Sequence, residues 1–117
     1  MSEIEVDEYR FGEIIINGNK YTNDVILFPD HVESGWWRRE GHSICESDIK
    51  EVIDYEPEIF VLGTGKNGRV RVPDKFKEDL KVHGIDLRFD KTDQAIEMFE
   101  DLLEKGNDVV AGLHITC

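Results

Sequence analysis

From residue 58 onward the chain alternates strand and helix signals, and that alternation restricts its fold more than any other feature. Ile59–Leu62 is a short, wholly apolar run, which suits a parallel strand covered on both faces. A helix follows near Pro73, with Phe76 and Leu80 on its inner side and Gly84 as its stop. Ile85–Phe89 alternates like a strand. Thr92 or Asp93 caps a third helix whose Ala95, Ile96, Phe99, Leu102 and Leu103 form one apolar stripe ending at Gly106. Val109–Ile115 reads as the last strand. This order builds parallel strands joined by right-handed crossovers.

The first part of the chain has a different rhythm. Arg10–Pro29 reads as two strands joined at Asn17-Gly18, a dipeptide that accepts the positive φ angles of a tight hairpin. A third antiparallel strand is expected around Trp36 and Trp37. Ser47 or Asp48 then caps a first helix carrying Ile49, Val52 and Ile53, which Pro57 closes. The expected architecture is a single three-layer α/β domain over residues 1–117. It has a mixed central sheet, an N-terminal hairpin layer and β-α-β-α-β crossovers, with residues 1–8 loose.

Composition narrows the function classes. With 117 residues the chain holds one core, and its 39% hydrophobic and 34% charged content is that of a soluble globular protein. No apolar run approaches the ~18 residues of a membrane span. The opening "MSEIEVDEYR" is acidic and does not read as an export signal, so the expected compartment is the cytoplasm and the two cysteines are expected as free thiols. A net charge of -12 opposes approach to phosphate backbones, and Lys and Arg read as scattered, densest at Arg38-Arg39. No nucleic-acid partner is expected.

Gly63-Thr64-Gly65-Lys66-Asn67-Gly68 spells G-x-G-x-x-G after the apolar strand. A dinucleotide site needs a helix opening at the third glycine to receive the pyrophosphate. Here Arg69–Val72 is extended, and the helix starts only near Pro73. The expectation is therefore no NAD or FAD and no other cofactor. Gly63 and Gly65 turn the chain after a buried strand, and their amides could form a small anion-binding concavity.

His42-Ser43-Ile44-Cys45 and His114-Ile115-Thr116-Cys117 share an H-x-x-C spelling, which offers zinc two imidazoles and two thiols. Successive strand residues face opposite ways, and neither segment has the glycines or proline of a knuckle. No metal site is expected. Cys117 with His114 is a candidate thiol pair, while Cys45, just before a helix, is the electrostatically better placed thiol.

In its motifs the chain resembles a small archaeal, bacterial and mitochondrial domain family that includes mitochondrial complex I assembly factor 3 and the adipogenesis-associated domain protein. The carriers are "RFG" at Arg10–Gly12, "NDVILFP" at Asn23–Pro29, "VLGTG" at Val61–Gly65 and the closing "VVAGLHITC". Archaeal members end in a similar His-x-Thr-Cys. They also place a histidine after a Gly-Thr/Ser pair before the first helix. Here His42 precedes Ser43, so no shared role is assigned to it. The resemblance implies a compact three-layer α/β fold and no established enzymatic activity; the mitochondrial member assists assembly of a respiratory complex.

The leading functional expectation is a non-enzymatic module that binds another protein or a small ligand. The alternative is a small enzyme or thiol-dependent binding protein using the Gly63–Gly65 loop and Cys117. Either would use one rim at the carboxyl ends of the parallel strands, gathering Gly63, Thr64, Gly65, Asp90, Lys91, Thr92, His114 and Cys117. Thr64→Ala and Cys117→Ser are then expected to impair binding at little cost in stability.

Overall fold

A computed structural model of the chain describes residues 4–36 and 43–116. Its centre is a five-stranded mixed sheet. β6 (Ile59–Gly63) runs parallel to β7 (Asp86–Asp90) on one side and to β8 (Val109–Leu113) on the other. β4 (Val25–Leu27) pairs antiparallel with β8, and β5 (Val32–Ser34) pairs antiparallel with β4. Beside it stands a three-stranded antiparallel sheet of β1 (Val6–Arg10), β2 (Glu13–Ile16) and β3 (Asn19–Tyr21).

Period-two alternation divides the core between the two faces of the large sheet. Val25, Leu27, Val61, Ala111 and Leu113 pack with Ile14 and Ile16 of the small sheet and with Ala95 and Phe99 of α3 (Thr92–Glu104). The alternate residues Ile26, Phe60, Leu62 and Val110 pack on the opposite face. There they meet Val52 of α1 (Lys50–Tyr55) and Phe76 and Leu80 of α2 (Asp74–Val82). Burying each such large apolar side chain contributes about 1.5–3 kcal/mol. The three layers expected from the sequence are present, with the small sheet and α3 sharing one of them.

The chain leaves β6 through α2 to reach β7, then returns through α3 across β6 to β8. The two crossovers travel in opposite directions along the sheet. Two right-handed crossovers of opposite direction put their helices on opposite faces, which is where α2 and α3 lie.

Several boundaries differ from expectation, each for a local reason. Residues 6–8 are not loose: they belong to β1, where the Val6 amide donates to Glu100 of α3 at 2.8 Å. The hairpin turn is at Asn17 and Gly18, with φ of 50° and 81°, but its second strand is two strands. Polar β3 stays at the edge of the small sheet, whereas β4, wholly buried, crosses to the large one. Asp24 pins the crossing: its carboxylate accepts the Ile115 amide at 2.9 Å and its carbonyl accepts the Trp36 amide at 3.0 Å. β5 ends before Trp36, and Trp37 lies outside the described residues.

The first helix is preceded by a 3-10 turn, Glu46–Ile49, capped from Cys45 rather than from Ser47 or Asp48. The Asp48 carboxylate reaches back to accept the Cys45 amide at 2.9 Å. α3 begins one residue earlier than expected, with Lys91 at its cap, so neither Thr92 nor Asp93 caps it. β8 stops at Leu113, two residues short of the expected end.

Candidate functional site at the carboxyl ends of the parallel strands

Parallel register brings Gly63, Asp90 and Leu113 side by side, because Gly63 is paired with both of the others. The three loops that leave these positions are bound to one another. The Thr64 amide donates to the Asp90 carbonyl at 2.9 Å, and the Thr64 hydroxyl donates to the same oxygen at 3.1 Å. The Gly65 amide donates to the Thr92 hydroxyl at 2.9 Å, and that hydroxyl donates to the His114 carbonyl at 2.6 Å. The Thr92 amide returns a bond to the Gly65 carbonyl at 3.1 Å.

The loops after β6, β7 and β8 therefore meet at one edge as far as they are described, and most of the residues placed there are buried. Thr92 and His114 are fully buried, and Thr64 nearly so. The His114 imidazole lies with Nδ1 2.8 Å from the Gly63 carbonyl, stacked on Trp36 at a centroid distance of 4.5 Å. Gly63 is required by contact: a Cβ there would sit 2.8 Å from the Thr92 hydroxyl and 3.2 Å from its Cα. Cys117 and His42 lie outside the described residues. The chain is placed as far as Thr116, whose carbonyl accepts the Lys66 amide at 3.0 Å.

Two expectations need correction. The amides of Thr64 and Gly65 point into the loop network, so they do not form the anion-binding concavity considered from the glycine spelling. Thr64 is also a structural hydroxyl, bonded across to β7, and its removal is not free of cost to stability. The helix after the glycine motif does open at Asp74, and Gly68 lies in a turn, its amide donating to the Gly65 carbonyl at 3.2 Å.

Just outside this locked rim is an open crevice of about 330 Å³, lined by Thr64, Asn67, Gly68, Lys77, Phe89 and Lys91 among others. It lies between the loops that leave β6 and β7, where the chain departs to opposite faces of the sheet. That is the topological switch point at which open α/β sheets bind ligands. Gly68 has φ +69° and a Cβ there would come 3.1 Å from the Lys91 side chain, so a glycine is needed to bring the loop against Lys91. Phe89 is 41% exposed, and the Lys77 ammonium lies 5.4 Å from its ring centroid.

The cations are not scattered in the way they first read. Residues 66–91 hold eight of the fourteen Lys and Arg but five of the 26 Asp and Glu. This stretch is net positive in a chain of net charge -12. Sequence reading placed Lys91 on the rim but missed Lys77 and Phe89 as site residues; a charge count by segment, read against the loop after β6, would have pointed to Lys77.

A second cavity, about 450 Å³, opens beside the 3-10 turn and α2. Cys45, Ser47, Asp48, Phe76 and Asp79 are among its lining residues. Cys45 is exposed, with Sγ 3.1 Å from the Ser47 hydroxyl and 3.4 Å from the Asp48 carboxylate.

No helix among the described residues is long and apolar enough to cross a membrane. The fold is shared with a conserved hypothetical protein of Pyrococcus horikoshii OT3, at 20% identity and a TM-score of 0.83, over 97% of this chain and 99% of that one. It is equally similar to a Bartonella henselae protein described as an outer membrane protein, with 21% identity, a TM-score of 0.83 and coverage of 99% and 98%. A Bordetella pertussis protein described as an Mth938-like domain matches at 18% identity and a TM-score of 0.77, over 96% of this chain and 85% of that one. Residues 6–114 match the family described as "Protein of unknown function (DUF498/DUF598)", and the chain belongs to that family.

Proposed function

We propose that this domain is a non-enzymatic binding module whose binding surface is the crevice beside the β6–β7 rim, and whose ligand is another protein or a small molecule. One observation carries this reading. The hydroxyls and imidazole that could have served as nucleophile or base at the rim are spent on holding its loops together. In this reading Thr64 lines the binding surface, while Gly63, Gly65, Thr92 and His114 position it. The resemblance to a family that includes the mitochondrial complex I assembly factor supports a role in assembly, and the net charge of -12 favours a partner other than nucleic acid.

Native mass spectrometry of the protein isolated from its source tests the proposal, followed by hydrogen exchange on bound and stripped forms. Protection over residues 64–73 and 89–92 is expected. Bound material that protects neither segment would refute it.

A second reading, thiol-dependent binding, is favoured by exposed Cys45 at the mouth of the larger cavity. It predicts that alkylating Cys45 displaces the bound species and that protection falls on residues 43–48 instead.

A further inference from the structure

Resting on the reading that the crevice is the binding surface, we infer that it takes an anion: a small molecule bearing a phosphate or carboxylate group. Lys77 comes from α2 and Lys91 from the turn after β7, yet both line one crevice, with Phe89 beside them. The loop that forms the other wall, residues 63–73, carries Lys66, Arg69 and Arg71 and no acidic residue. The one carboxylate of the lining, Asp90, has an oxygen 2.7 Å from the Lys91 amide, which it accepts, so part of its charge is met within its own loop.

The cations are differently committed. Lys66 is held outside the crevice by Asp93, at 3.1 Å, and lies over the Tyr9 ring at 4.9 Å. The one ion pair of Lys77 among the described residues is an exposed i,i+3 contact with Asp74 at 3.7 Å, a kind worth little in water, and its ammonium lies 5.4 Å from the Phe89 ring centroid. Lys91 forms no ion pair among the described residues. Protection of an exposed edge strand explains charges on β7 itself, such as the Arg88–Asp86 pair. It does not explain lysines contributed by a helix and a turn on either side of a cavity. An anion seated there meets two ammonium groups and Asn67, in a segment whose net charge opposes that of the whole chain.

The test is a titration followed through backbone amide resonances, with inorganic phosphate and citrate as probes and sodium chloride at matched ionic strength as the blank. Saturable shifts are expected at Asn67, Gly68 and Lys91. The phosphate and citrate arms separate the two anion chemistries, and saturation by either supports the inference. Lys77→Gln and Lys91→Gln should each weaken binding by about tenfold, a change of roughly 1.4 kcal/mol, whereas Lys105→Gln should not. Raising the salt from 0.01 to 0.15 M should weaken it further, as the screening length falls from about 30 to about 8 Å. Shifts that do not saturate, that fall elsewhere, or that ignore both lysine variants would overturn the inference. Glycerol and ethanolamine distinguish its failure from that of the underlying reading. If they perturb the same amides and the anions do not, the crevice binds but its ligand is not an anion. If no probe perturbs these amides, the inference is overturned along with the placement of a small-ligand site.

Discussion

The Thr92 hydroxyl donates to the His114 carbonyl at 2.6 Å, joining the start of α3 to the end of β8 at a fully buried point. The same oxygen accepts the Gly65 amide at 2.9 Å, so one side chain ties together the loops after three parallel strands. Both roles need a hydroxyl in that place.

Thr92→Val keeps the shape and removes both bonds. Each buried group left without a partner costs about 1–3 kcal/mol. Urea unfolding should show the valine variant destabilised by at least that much, and Thr92→Ser markedly less. Equal losses in the two variants would mean that the hydroxyl network contributes nothing.

Thr64→Ala removes one donor to the Asp90 carbonyl but leaves the Thr64 amide bonded to the same oxygen. The expected loss is about 0.5–1.5 kcal/mol, read as a lower urea midpoint with an unchanged slope. That exceeds what an exposed loop hydroxyl would give.

Gly63→Ala places a methyl group against the Thr92 hydroxyl and backbone, so β6 and α3 must separate. Overpacking of this kind costs about 1–3 kcal/mol. The amide exchange of residues 64, 65 and 92 should rise together. Unchanged stability would show that the strand end yields more easily than its contacts imply.

Phe99 of α3 is fully buried in the core that α3 shares with the large sheet and the small one. Phe99→Ala should cost about 3–5 kcal/mol. Val82, 84% exposed, is the contrast, and Val82→Ser should stay within about 0.5 kcal/mol.

Partial burial, and then the nearby Asp108 carboxylate, hold the Tyr55 phenol above its ordinary value. Its hydroxyl donates to the Asp108 carboxylate at 3.2 Å. A phenol whose folded pKa is raised favours the folded state fully below the unfolded value near 10. That contribution declines as pH rises from there through the folded value. The Tyr55 absorbance should titrate later than that of an exposed tyrosine, and Asp108→Asn should bring it part of the way back. A Tyr55→Phe variant should lose less stability than the parent as pH rises past 10.

The apolar patterns in the sequence determined the elements that packing needs most. Ile59–Leu62 is apolar at every position because β6 is covered on both faces, and the α3 stripe is visible because one helix face meets a core. Asn17-Gly18 and Gly84 declared themselves through backbone angles that few other residues accept. Even the gathering of Gly63, Thr64, Thr92 and His114 followed from strand order, since parallel strands bring their ends to one edge. Tertiary structure alone decided what those residues do there. Whether a threonine hydroxyl faces a ligand or a neighbouring carbonyl depends on loops brought together from distant parts of the chain, and no local pattern encodes that distance. The split between β3 and β4 was hidden for the same reason, because it depends on which partner strand each segment meets. Lys77 and Lys91 are fourteen positions apart in the sequence and line one crevice only because β7 lies beside β6.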